Sequence, residues 1–133
     1  MSVKEASKAF GQELKPAHIL DEDGLHCHHV YPDGNYKKIG FMVEEGLVTR
    51  IDVHSNQYTT DSGITVGQSE SKVYEKYKNK VSERIHPYLG NEGKYLVVNT
   101  EKGFQLIFET YHGEITTFRS GKLPSVAYIE GCL

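Results

Sequence analysis

The chain has 133 residues, a formal net charge of -3, 38% hydrophobic and 25% charged residues, as expected of one globular domain. That balance gives no electrostatic footprint for nucleic acid, whose binding rests on clustered Lys and Arg. No apolar stretch approaches the roughly 18 residues of a membrane-spanning helix, so no such span is predicted.

Met1 to Phe10 has no apolar core of the signal-peptide kind. Ser2 followed three residues later by Glu5 makes a capping box, and Val3, Ala6 and Phe10 recur at helical spacing. A helix is therefore predicted there, ended by Gly11 and Pro16. Leu25 to Tyr31 reads as a strand, and Pro32-Asp33-Gly34-Asn35 as a turn. Ile39 to Val43 and Leu47 to Val53 form a hairpin about Glu44-Glu45-Gly46. Ser55 to Gly63 is a polar connector, and Ile64 to Gly67 a short apolar lead-in. A second helix is predicted from an N-cap at Ser69, with Val73, Tyr74, Tyr77 and Val81 on its buried face. His86 to Gly90 is a break. Strands follow at Lys94 to Asn99, Phe104 to Thr110 and Ile115 to Arg119, separated by turns at Glu101-Lys102-Gly103 and Tyr111-His112-Gly113-Glu114.

The second half matches the first at an offset of 67. Ser2 falls on Ser69, Phe10 on Tyr77, Phe41 on Phe108, Gly46 on Gly113, Val48 on Ile115 and Thr49 on Thr116. The expectation is an α+β domain over residues 1–133, made of two tandem helix-and-hairpin repeats (about 1–60 and 61–133). One such unit alone has too small a core to be stable. Two would share one antiparallel sheet, with both helices on one face and the other face in solvent. The second copy has Gly63 to Gly67 before its helix, whereas the first begins on the motif. Residues before Met1 in a natural precursor, a signal segment among them, are therefore expected.

The stretch Val66-Gly67-Gln68-Ser69-Glu70-Ser71-Lys72-Val73, and less fully Met1 to Ala6, resembles the opening of modules in the β-lactamase inhibitor protein and in the small lipoprotein of the outer-membrane assembly machine. The ending Ala127-Tyr128-Ile129-Glu130-Gly131-Cys132, with Phe108-Glu109-Thr110, is similar to a group of uncharacterised bacterial extracytoplasmic proteins. The resemblance implies helices ahead of a short antiparallel sheet and a non-enzymatic, inhibitor-like or protein-binding module outside the cytoplasm. No lipid-attachment cysteine lies near Met1, and no inhibitory target carries over.

Cys27 and Cys132 either form a disulfide, which would staple the tail across a long loop, or remain two thiols, one of them a small buried apolar group. His26-Cys27-His28-His29 is the densest cluster of ligand-type residues. On a strand His26 and His28 share a face and are metal candidates, but no second cluster completes a site of four ligands. Cys27 beside His28 is poorly placed for nucleophilic catalysis, because strand neighbours face opposite ways. No nucleophile elbow or phosphate loop occurs, and no cofactor is implied. The carboxylates of Asp21-Glu22-Asp23 and Glu44-Glu45 read as solvated turns. Lys72, Lys76, Lys78 and Lys80 read as a solvated helix face. His86, Tyr88 and Tyr111 are candidates for a binding surface, since Tyr offers contact area with a polar tip. The leading expectation is a module that binds another protein. The alternative is a carbohydrate or small-ligand binder, with a metal protein or enzyme behind both.

Overall fold

The computed structural model describes residues 1–132. It is mostly antiparallel β with two short helices. Helix α1 (Val3–Phe10) carries the expected capping box: Ser2 Oγ accepts from Glu5 N, Glu5 accepts from Ser2 N, and Gly11 closes the helix in the left-handed region. Strands β1 (Leu14–Lys15), β2 (Cys27–Pro32), β3 (Ile39–Glu44) and β4 (Leu47–Val53) follow. Then come α2 (Ser71–Lys76), β5 (Val81–His86), β6 (Gly90–Glu101), β7 (Phe104–Tyr111) and β8 (Glu114–Lys122). The sheet order is β1-β2-β3-β4-β8-β7-β6-β5, so two meanders meet along the β4–β8 seam, where Arg50 lies opposite Gly121 and Val53 opposite Phe118.

Three sequence expectations about single residues and elements are corrected. The second helix stops at Lys76; Asn79 takes a positive φ of 62°, and Val81 opens edge strand β5 instead of lying on a helix face. Ser69 is not its N-cap; Glu70 holds that position with no side-chain cap, although Ser69 Oγ does accept from Ser71 N. His26 lies outside the strand, just after a 3-10 turn at Asp23–Leu25, so it does not share a strand face with His28. The β1 pairing with β2 was not foreseen, because two residues carry no alternation pattern.

Several contacts recur at the offset of 67. The bridge between Ser2 and Leu47 has a counterpart between Ser69 and Glu114. Val48 N donates to Met1 O, and Ile115 N to Gln68 O, both at 2.9 Å. The bulge after Met42, where pairing passes from Met42–Arg50 to Val43–Val48, is matched by the one after Glu109, from Glu109–Thr117 to Thr110–Ile115.

The main core lies between the helices and one sheet face. Ala6 of α1 and Val73 of α2 pack with Phe41, Val43, Leu96, Phe108, Ile115 and Phe118. The opposite face holds a smaller apolar cluster, Tyr95, Val97, Ile107 and Val126. Val126 belongs to the chain after β8, which turns back through a 3-10 turn at Ser125–Ala127 and crosses that face as a strap. The second face is therefore not simply solvated, as alternation along β4 had suggested. Its Arg50 and Arg119 are only 5% and 2% exposed.

Candidate functional site

Charged side chains reach the second face because strand alternation sends them there. Val53 belongs to the helix-side core and Ile51 packs against it, so Arg50 and Asp52 point the other way; Phe118 does the same for Arg119. Arg50 Nε and Nη2 donate to both oxygens of Asp52 at 2.8 to 3.0 Å. Its Nη1 donates to the strap carbonyls of Ser125 (3.2 Å) and Tyr128 (2.6 Å). Arg119 Nε donates to Val126 O at 2.6 Å, and Nη1 to Glu109 Oε2 at 2.9 Å. The Arg119 guanidinium also lies 5.0 Å from the Tyr95 ring centroid. Both arginines thus fasten the strap to the sheet. Ser125 Oγ adds a bond to Glu44, and Cys132 is joined to Cys27 by a disulfide with Cα atoms 5.7 Å apart. Of the two alternatives for the cysteines, the bridge is the one formed.

His86 completes this network. Its Nδ1 accepts from the backbone N–H groups of Tyr88 and Leu89, so the proton must sit on Nε2, which lies 2.8 Å from Glu109 Oε1. His86 is buried and serves as an internal strut rather than a surface contact.

Beside the strap, above β2, β3 and β4, the face opens into a cleft of about 360 Å³. Its polar floor is Asp52, Glu109 and Arg119, and its aromatic wall is His29, Tyr31 and Tyr36. His29 and Tyr31 stack at 6.3 Å, and Tyr36 meets Tyr31 edge-on at 6.3 Å. Tyr31 lies across Gly40, where a Cβ would stand 2.8 Å from its ring, so the wall depends on glycine at that position. Burial lowers the pKa of His29, against an opposing pull from Asp52. Burial, helped by Asp52, raises that of Tyr31. The imidazole at the wall therefore favours its neutral form.

A second depression lies at the end of the strap, lined by Tyr88, Tyr128, Ile129, Glu130 and Gly131. Tyr88 is 65% exposed, its hydroxyl bonded to Glu130, and Ile129 is 48% exposed. Tyr111 is also exposed, but it packs against His112 at the β7–β8 turn and does not line this depression.

The histidine cluster is dispersed. His26 pairs with Glu45 at 3.0 Å on the surface; His28 is half-buried, its Nδ1 without a hydrogen-bond partner. Cys27 is committed to the disulfide, and no group of three or more metal-type ligands gathers among the described residues. Of the residues that build the cleft, His29 fell in the histidine cluster and Glu109 in a stretch that carried a resemblance; Arg50, Asp52, Arg119, Tyr31 and Tyr36 were not singled out from the sequence. Their one visible signal was the Arg50–Asp52 spacing on a single strand face.

No family model and no curated protein matches this chain. Among solved structures it is similar to the 1.5 Å crystal structure of an extracellular protein containing an SCP domain from Bacillus anthracis str. Ames. The TM-score is 0.59 at 12% identity, over 92% of this chain. At that identity the likeness concerns the fold, and this chain spans 43% of that protein.

Proposed function

We propose that the protein is a non-enzymatic binding module that acts outside the cytoplasm on another protein, using the strap and the depression at its end. One observation carries this reading. Tyr88, in the turn between β5 and β6, and Tyr128 and Ile129 of the strap stand exposed around one shallow hollow, and the strap is fixed in place by two buried arginines and a disulfide. Aromatic anchors on a rigid surface bind at low entropic cost. The location is supported by the disulfide, a bond characteristic of oxidising compartments, and by the extracellular protein of similar fold.

The recurring bridge, bulge and hydrogen bond at an offset of 67 support a duplicated helix-and-hairpin unit. The test is capture of a partner from the host envelope fraction by the wild type and by Tyr88→Ala/Tyr128→Ala. Both substitutions fall on exposed side chains, so the variant should fold. A partner held equally by both proteins would refute the assignment of this surface. A second reading, binding of a carbohydrate or other small ligand, is favoured by the walled polar cleft beside the strap.

A further inference from the structure

We propose that the cleft between the strap and strands β2 to β4 takes a neutral, polyhydroxylated ring, a saccharide unit; this deepens the small-ligand reading above and rests on it. Charge balance is the first argument. Arg50 is matched by Asp52, and Arg119 by Glu109. An anion entering the cleft would meet Asp52, Glu109 and the nearby Glu130, and each arginine already has a carboxylate matching its charge. A cation would meet Asp52 and Glu109, whose charges Arg50 and Arg119 already match. Either charge would enter without an unmatched counter-charge, which is costly; a neutral ligand avoids that penalty.

The second argument is what the floor still offers. Glu109 and Asp52 line the cleft, and the bonds from His86, Arg119 and Arg50 leave each of them with unfilled acceptor sites. A sugar hydroxyl can donate to such a lone pair without bringing charge, since each carboxylate has about four acceptor sites. The third argument is the wall. Tyr31 and Tyr36 present ring surfaces meeting edge to face, and Tyr36 is 63% exposed at the mouth. The apolar C–H face of a sugar ring can pack on such a surface, as amphipathic aromatic rings permit. The volume, about 360 Å³, falls in the range of small-ligand pockets.

The test is a nuclear magnetic resonance titration of the intact, oxidised protein with D-glucose, N-acetyl-D-glucosamine, D-glucuronate and D-glucosamine. At least one neutral sugar should shift the amide resonances of Tyr31, Asp52 and Arg119, with D-glucuronate weaker by about tenfold or more. Tyr36→Ala, a change at an exposed side chain, should weaken that binding about five-fold with an unchanged melting curve. Tighter binding of glucuronate or glucosamine at these resonances would overturn the neutral-ring proposal and leave the small-ligand reading standing. No perturbation of the cleft by any of the four probes would overturn both.

Discussion

Replacing both cysteines, Cys27→Ser/Cys132→Ser, removes a covalent link across a sequence separation of 105. In the chain-entropy model a loop of that length restricts the unfolded state by about 4.7 kcal/mol at 25 °C. The folded variant recovers part of this. Residues 129–132 lose their anchor and gain freedom, whereas Ser125 and Val126 are buried and Ser125, Val126 and Tyr128 stay tied through their carbonyls to Arg50 and Arg119. A net loss of about 3–4 kcal/mol is expected, or roughly 10–15 °C in melting temperature for a chain of this size. Urea denaturation of the variant beside the oxidised wild type measures it, with reduced wild type as a second route to the same state. A loss below about 1 kcal/mol would refute the reasoning, since it would mean that the unfolded chain is not restrained by this ring.

Glu109→Ala strands Arg119 and removes the acceptor of His86 Nε2, so it should cost about 3 kcal/mol or more in chemical denaturation; Glu109→Gln, which keeps an acceptor, should cost less. Gly121→Ala would place a Cβ 2.4 Å from Thr49 O and 2.8 Å from Arg50 Cα, forcing β4 and β8 apart at their seam. A loss of about 2 kcal/mol or more is expected, read from the same curves. The lowered pKa of His29 sets a pH dependence. The unfolded state takes up this proton first, so the contribution is fully present above about pH 6.5 and is lost as pH falls towards the lower folded value. Melting temperatures between pH 7.5 and 5 should therefore fall more steeply for the wild type than for His29→Gln; equal slopes would count against the cause assigned to the shift.

Local signals were legible in the sequence because local physics sets them. The Ser2–Glu5 box, the hairpin turn at Glu45 and Gly46 (both at positive φ) and the apolar lead-in around Ile64 needed only neighbouring residues to be read. Val81 was misread because Tyr74, Tyr77 and Val81 fit helical spacing, while the chain turns at Asn79 and continues as an edge strand. The candidate site was hidden for a different reason. Arg50 and Asp52 alternate with apolar residues as solvated charges do, and what covers Arg50 is a segment 75 to 78 positions further along the chain. Nothing within the strand distinguishes a charge facing water from one facing a strap. The disulfide was legible as one of two options, and the geometry of the strap decides between them.

The bridge from Cys27 to Cys132 also turns most of the chain into a covalent ring, with residues 1–26 hanging from it as an arm. A protease that cuts once in the exposed connector, at Asn56 or Gln57 for instance, opens the ring without dividing the molecule. The two pieces stay tethered by the sulfur bond and by the sheet seam between β4 and β8. Such a protein can be nicked by a protease and keep its shape, and the wound would show on a gel only after reduction.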